Sequence, residues 1–344
     1  MDFMDIEKKR NFLSCRKTGS PCACCTSDIP RKILCRIPIS AVTESRFLRP
    51  AFTTRCRNRI AERLIRRKGH IMNQQERLDY LVERFKEDSG EYRDLKTPAD
   101  TEGKKRILRS LMNIRMPKMM APSVIAVQDE YLKERNRENG IVVLDEIPTI
   151  ADQGSNHAFA DKLSIWQGDI TRLAVDAIVN AANSQMLGCF VPMHTCIDNC
   201  IHTFAGIQLR AECSRQMTLL RAKYGSDYEQ PTAVPMLTEG YNLPAKQVVH
   251  IVGPIVRYQL TPELEKDLAD CYRNTLDLCA KNDIKTVAFC CISTGVFHFP
   301  NKRAAEIAVQ TVTAWLAEHP GQMERVIFNV FKEEDKEYYE AELF

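Results

Sequence analysis

The sequence predicts an α/β fold in which a mainly parallel sheet lies between layers of helices. Beyond Gly154, short runs of apolar or β-branched residues alternate with longer runs in which apolar residues recur at helical spacing. This alternation is typical of a sheet whose strands are joined by helical connections. The predicted strands are 163–166, 177–180, 233–237, 248–252, 286–292 and 326–330, and the predicted helices between them are 198–224, 262–282 and 302–318.

A separate helical region precedes the predicted sheet. Two runs carry apolar residues at positions i, i+3, i+4 and i+7, and a third run begins near Pro122 and stops at Asn139-Gly140. We therefore expect a small helical subdomain over residues 72–147 and the main domain over residues 148–344. No cluster of polar residues marks the helices as a catalytic unit, so packing support is their default interpretation. The apolar residues of the first two runs are Leu78, Leu81, Val82, Phe85, Ile107, Leu108, Leu111 and Ile114.

Residues 1–71 differ from the rest of the chain in charge and pattern. They hold 17 lysines and arginines against 6 aspartates and glutamates, a charge of +11, so the remainder sums to −8 within an overall +3. The segment 66–69 can be encoded by purine-rich codons that resemble a bacterial ribosome-binding site before Met72. We expect translation to start at Met72 and the leader to be disordered or a mis-assigned reading frame. One alternative is a basic arm that binds nucleic acid. Another is a metal knuckle, although the segment lacks the paired Cys-x-x-Cys spacings of zinc sites; its cysteines are Cys22, Cys24, Cys25 and Cys35.

Composition excludes several classes of protein. Fourteen cysteines in a long chain that is 44% apolar, without a signal-peptide pattern, indicate a reducing cytoplasm and no secreted disulfide scaffold. No run approaches the roughly 20 apolar residues of a membrane span, so no membrane partner is predicted. The acidic main body offers no basic stripe, so no nucleic-acid partner is predicted.

Three strand ends of the predicted sheet carry polar or small residues. Asp169 follows the first strand and suits either a ligand or a helix cap. Asn180 and Asn183 follow the second, and their amides suit ribose hydroxyls as well as turns. The segment 292–300 places small residues and hydroxyls before a helix, where free main-chain N–H groups can hold a phosphate. Ligands of such sheets bind at the carboxyl ends of the strands.

In this combination the sequence resembles the macrodomain family over about residues 155–335. The resemblance is carried by Gly168-Asp169-Ile170-Thr171, Asn180-Ala181-Ala182-Asn183, His250-Ile251-Val252-Gly253-Pro254 and Ser293-Thr294-Gly295-Val296-Phe297. It implies a three-layer α/β/α macrodomain with a mixed central sheet, preceded by the helical subdomain. It also implies that ADP-ribose is bound by Asp169 and Ile170 near the adenine, by Asn183 at the distal ribose, and at the diphosphate by Ser293, Thr294, Gly295, Val296 and Phe297.

The segment from Gly188 to His202 departs from the glycine-rich loop of ordinary hydrolytic macrodomains. It resembles the zinc-containing subgroup, whose helical appendage the predicted subdomain also resembles. Two thiolates and an imidazole, from Cys189, His194 and Cys196, suit Zn²⁺ and leave one coordination position open. The alternative is that these are packed core side chains. Cys200 could be a fourth ligand, but it lies one helical turn beyond Cys196 and is assigned to the core of a helix. His202 is assigned to the same helix core.

The resemblance implies a hydrolase that removes mono-ADP-ribose from protein side chains. Asp198 matches the family's catalytic aspartate, and Asn183 is expected to fix the ribose beside it. A reader module that binds ADP-ribose without turnover is an alternative, and so is a hydrolase of small derivatives such as O-acetyl-ADP-ribose. The subgroup further implies a sirtuin-type ADP-ribosyltransferase and a lipoyl-carrier protein of the glycine-cleavage H type as partners.

Overall fold

The computed structural model describes residues 72–344, so the predictions made for residues 1–71 lie outside the described residues. Three helices open the described chain: α1 (Gln74–Ser89), α2 (Thr101–Ile114) and α3 (Pro122–Glu138). The Asp100 side chain accepts a hydrogen bond from the Gly103 amide at 2.7 Å and so caps the start of α2. Proline occupies the first turn of α3, where its missing N–H costs nothing. The predicted helical region before the sheet is confirmed.

The main domain is built on a six-stranded mixed sheet. Its strands are β2 (Leu163–Gln167), β4 (Ala177–Ala182), β5 (Met236–Glu239), β6 (Gln247–Val252), β7 (Thr286–Phe289) and β8 (Arg325–Val330), and two short strands, β1 (Val142–Val143) and β3 (Leu173–Ala174), pair beside it. The order of the strands in the sheet is β2-β8-β7-β4-β6-β5, and only the edge strand β5 runs antiparallel, against β6. The predicted α/β class with a mixed sheet is therefore confirmed.

Helices cover both faces of the sheet. On one face, Asn180 of β4 and His250 of β6 contact α4 (Ile197–Ala205) and α5 (Ile207–Tyr224). On the other face, the rings of Phe289 and Phe328 pack against tyrosines of α6 (Pro262–Lys281) and α8 (Glu333–Leu343). Helix α7 (Asn301–Glu318) packs against α6 and α8. The two helical layers enclose a continuous buried core, as the three-layer prediction requires.

Several predicted bounds differ from the structure. The helix predicted over 198–224 is two helices, because Gly206 has a φ of +94° that no α-helix allows. The strand predicted from 233 begins at Met236, since Ala233 lies in the left-handed region with a φ of +61°. The strand predicted to 292 ends at Phe289. Helix α8 had no prediction, because its sequence lacks a continuous apolar stripe.

Buried polar side chains join the helical subdomain to the main domain. Asn136 of α3 donates to the Asn242 carbonyl at 2.6 Å, and the Asn242 amide donates to Asp129 at 2.8 Å. Arg210 of α5 reaches the carboxyl end of α2, where it donates to the carbonyls of Asn113 and Arg115, both at 2.7 Å. These carbonyls belong to the last turn and end of a helix, which needs external donors. Between residues 72 and 344 no helix is both long and apolar enough to cross a membrane.

Candidate active site

The residues that are predicted to bind near the adenine lie where β2 and β8 end together. Gln167 pairs with Val330, so the residues that follow these strands are neighbours. Asp169 Oδ1 accepts hydrogen bonds from the amide and the hydroxyl of Thr171, at 3.0 and 2.7 Å, while Oδ2 accepts none from the described residues. Asp169 can therefore cap the following turn with Oδ1 and still offer Oδ2 to a ligand, so both predicted roles are compatible. Ile170 is 1% exposed, so its main chain is the part that can meet a ligand.

An exposed aromatic residue completes this edge. Phe331 follows β8 directly and is 76% exposed, so a face of its ring is open to a ligand. Sequence reasoning did not single it out, although an aromatic residue directly after a predicted core strand was a usable signal. Its position beside Asp169 makes it a candidate platform for a planar ring.

The phosphate-side loop, the segment 293–297 that is predicted to bind the diphosphate, presents main-chain N–H groups. Among the described residues, no carbonyl or side chain accepts from the amides of Gly295, Val296 or Phe297. Ser293 has a φ of +66°, and its buried hydroxyl has no hydrogen-bond partner among the described atoms. A left-handed residue followed by unpaired amides is the arrangement of a backbone anion nest. Thr294 turns inward instead, and its hydroxyl donates to the Cys291 carbonyl at 3.0 Å.

The buried carboxylate of Asp198 lies between two asparagines, Asn180 within β4 and Asn183 directly after it. Asn180 Nδ2 donates to Asp198 Oδ1 at 2.8 Å, and Asn183 Nδ2 donates to Oδ2 at 3.4 Å. Burial raises the pKa of Asp198 to about 7, against the opposing effect of the Asn180 hydrogen bond. A carboxylate whose pKa lies near neutrality is suited to accept a proton.

His250 fixes the orientation of the Asn180 amide. Asn180 Nδ2 also donates to His250 Nδ1 at 3.1 Å, so His250 Nε2 carries the ring hydrogen and faces the Thr238 hydroxyl at 3.0 Å. Burial lowers the pKa of His250 to about 3, which keeps the imidazole neutral. A neutral imidazole with an acceptor nitrogen holds the amide donor towards Asp198.

The donor atoms of Cys189, His194 and Cys196 form one cluster beside Asp198. All three lie within 4.8 Å of one another, and Cys189 Sγ is 3.6 Å from His194 Nδ1. A tetrahedral zinc ion with bonds of about 2.3 Å to sulfur and about 2.0 Å to nitrogen places the two donors about 3.5 Å apart, close to the observed distance. Hydrogen bonding from the Cys196 thiol lowers the pKa of Cys189, and the same contact raises the pKa of Cys196. The donor set fits zinc in chemistry and spacing.

A second group of metal-ligand side chains, His202, Cys213 and His250, is less suited to a metal. Their donor atoms are also within 4.8 Å of one another and fully buried. Both nitrogens of His250 are already engaged, by Asn180 and Thr238. Binding a metal there would break two buried hydrogen bonds, which is costly. The prediction that His202 belongs to the helix core agrees with its 5% exposure.

Cys200 stands apart from the proposed ligands. It lies one helical turn beyond Cys196, and its thiol contacts Arg109 Nη2 at 3.7 Å and the Thr195 carbonyl. It does not join the three-residue cluster. Cys200 therefore lies outside the ligand cluster, as its spacing predicts, but its side chain is half-buried and does not belong to the buried core as predicted.

The family model described as Macro domain matches residues 179–308, which hold Asn183, Asp198 and the phosphate-side loop. A "Protein-ADP-ribose hydrolase" from Treponema medium is 45% identical over 78% of this chain and 98% of its own length. The chain belongs to the macrodomain family. A Staphylococcus aureus (strain MRSA252) protein with the same name is 39% identical over 76% of this chain and 93% of its own length.

Solved macrodomains share the fold. The macrodomain of Trypanosoma brucei, solved in complex with ADP-ribose, matches with a TM-score of 0.52 and 28% sequence identity, over 68% of this chain and 94% of that one. The resemblance to macrodomains drawn from the sequence is therefore confirmed at the level of family and fold.

Proposed function

We propose that this macrodomain is a zinc-dependent hydrolase that removes mono-ADP-ribose from modified protein side chains, by cleaving the bond at the distal ribose. The carrying observation is the buried Asp198 carboxylate, held by two asparagine amides beside a Cys-His-Cys donor set. The names of the relatives from Treponema medium and Staphylococcus aureus support the reaction class.

ADP-ribose binding is assigned to the strand ends. The free Oδ2 of Asp169 accepts from the adenine amino group, and the ring of Phe331 stacks on the base. The unpaired amides of Gly295, Val296 and Phe297 bind the diphosphate. These contacts supply affinity and leave the distal ribose next to Asn183 and Asp198.

The chemistry is assigned to the side chains at the end of β4. Asn183 holds a hydroxyl of the distal ribose, and Asp198 accepts the proton of a water whose oxygen attacks the anomeric carbon. The bond from that carbon to the protein side chain breaks, and the departing group takes up a proton from solvent. Asn180, fixed by His250, keeps the carboxylate in place during the step.

Zinc is assigned to Cys189, His194 and Cys196, whose spacing supports the assignment. When bound, zinc would supply a Lewis acid that polarises a ribose oxygen or lowers the pKa of a water from 15.7 towards about 7. Release of ADP-ribose from proteins modified on Asp/Glu, Ser or Arg, with and without a chelator, tests the reaction and its metal dependence together. A reader module would release nothing, and an enzyme for small derivatives would release product only from O-acetyl-ADP-ribose.

The finer partner assignment rests on the resemblance to the zinc subgroup alone. We propose that the modified substrate is a lipoyl-carrier protein of the glycine-cleavage H type, modified by a sirtuin-type ADP-ribosyltransferase in the cytoplasm. Comparing release from a modified carrier protein with release from an unrelated modified protein tests this assignment. Equal rates would count against a dedicated carrier.

Replacing Gly295 by valine should weaken ADP-ribose binding. A Cβ at Gly295 meets no protein atom within 4 Å, so the added side chain disturbs the ligand space and not the fold. We expect the Kd measured by calorimetry to rise at least about tenfold, with an unchanged melting temperature. Gly295→Ala, which adds less volume, should lose less affinity. Unchanged affinity in the valine variant would remove this loop from the site.

Replacing Phe331 by alanine should also weaken binding, because stacking of a base on an aromatic ring is lost. Such stacking is worth about one to three kcal/mol, so the Kd for ADP-ribose should rise roughly tenfold or more. Phe331→Tyr keeps the ring and is expected to bind like the wild type. The idea fails if the alanine variant binds ADP-ribose as tightly as the tyrosine variant.

A further inference from the structure

The loop that carries the proposed zinc ligands has little structure of its own. Between Gly188 and Cys196 no helix or strand is assigned, and one internal backbone hydrogen bond, from the His194 amide to the Val191 carbonyl, spans 3.3 Å. Met193 adopts a φ of +58°, a conformation that a side chain of its size rarely holds without outside support. The shape of the loop must therefore come from neighbouring elements.

Helix α2 of the extension supplies much of that support. Arg109 Nη2 donates to the His194 carbonyl at 2.8 Å, and the Met193 amide donates to Asn113 Oδ1 at 3.1 Å. Arg109 and Asn113 are four residues apart and so lie on one face of the helix. They engage two consecutive residues of the loop, one of which is a proposed ligand.

The same two side chains also tie α2 to helix α4, which bears Asp198. Arg109 Nη2 donates to Asn199 Oδ1 at 3.0 Å, and Asn113 Nδ2 donates to the Thr203 hydroxyl at 3.0 Å. Asn199 in turn donates to the Val191 carbonyl of the loop at 2.9 Å. Asn113 is 1% exposed and Asn199 fully buried, so the contacts are shielded from competing water.

We infer that α2 is a positioning element for the reaction, through which Arg109 and Asn113 preset the Cys189–Cys196 loop in its ligand-binding shape. The inference deepens the proposed function and rests on it for its catalytic consequence. Removing a group that hydrogen-bonds to metal ligands and orients them commonly lowers metal affinity or activity by about ten- to a hundredfold. The helical extension is thus assigned a role in the site as well as in packing.

The test uses the full chain with Arg109→Met, Asn113→Ala and the control Lys105→Met. Lys105 is a cation of the same helix whose ion pair, with Glu102, stays within that helix. We expect zinc affinity, measured by competition with a chelator, to fall about ten- to a hundredfold in the first two variants and to stay unchanged in the control. The kcat for ADP-ribose release should fall by a similar factor, with KM and the Kd for free ADP-ribose within about threefold of the wild type, because the binding contacts lie on other loops.

Hydrogen exchange separates this inference from the proposed function. The Met193 amide should exchange at least about tenfold faster in both variants and at the wild-type rate in Lys105→Met. Wild-type protein that neither binds zinc nor releases ADP-ribose would refute the proposed function. Faster exchange of the Met193 amide in the two variants would still support the inference that α2 positions the loop. If folded Arg109→Met keeps wild-type zinc affinity, kcat and exchange, the inference is wrong. That variant decides the matter should Asn113→Ala fail to fold.

Discussion

Alanine at Asp198 is expected to lower the rate of ADP-ribose release from a modified protein by a factor of about 10²–10⁴, the usual contribution of a general base. The carboxylate is 5% exposed and is held by Asn180 and Asn183, so its oxygens are positioned for the proton transfer that alanine removes. Binding of free ADP-ribose should persist, because the proposed adenine and diphosphate contacts lie on other strand ends. Single-turnover release and calorimetry on the same preparation measure the two effects.

Two companion variants make the Asp198 experiment interpretable. Asp198→Asn keeps an oxygen that can accept from Asn180, so it should fold like the wild type yet show the same loss of turnover. Asp161→Ala removes an exposed carboxylate before β2 and should leave the rate unchanged. Full activity in Asp198→Ala would refute the assignment of the base.

Replacing Cys189, His194 or Cys196 by alanine is expected to release nearly all bound zinc and to abolish turnover. Two remaining ligands rarely hold zinc against competition from the buffer. Cys200→Ala is the matched control, since its thiol lies outside the donor cluster, and it should keep its zinc. Zinc content, thermal melting and ADP-ribose release are measured together on all four variants.

The same measurements distinguish a catalytic zinc from a structural one. A structural ion predicts that loss of a ligand unfolds the protein, whereas a catalytic ion predicts folded protein without turnover. Folded protein that hydrolyses at the wild-type rate after chelation would show that the metal has no role in the reaction. A reader module would have no turnover to lose in any variant.

Much of the fold was predictable from local pattern. Strand β6 and helix α6 were predicted within one residue of their bounds, because β-branched runs and a proline in the first turn are strong local signals. The break at Gly206 was missed, since an isolated glycine inside a helical pattern is usually tolerated. A Cβ at that residue would come within 3.0 Å of the side-chain nitrogens of Gln128 and Asn242, which are contacts that the local pattern does not contain.

The candidate site was predictable where its residues are close in sequence. Cys189, His194 and Cys196 lie within eight residues, and the structure brings their donor atoms together. The contact between Arg109 and His194 joins residues 85 positions apart. A single sequence carries no signal for such a pair, so the part of the extension in shaping the loop required the structure.

The position of Arg210 bears on how this protein can be shortened. Its Nη1 donates to the carbonyls of Met112, Asn113 and Arg115, while its Nη2 donates to the Cys189 carbonyl at 3.3 Å. A version trimmed to the sheet and its covering helices would lose three of these acceptors and uncover the polar face of α4 that α2 now shields. Residues 74–344 form one compact unit. Minimal versions intended for crystallisation, or as ADP-ribose capture reagents, should therefore retain the three leading helices.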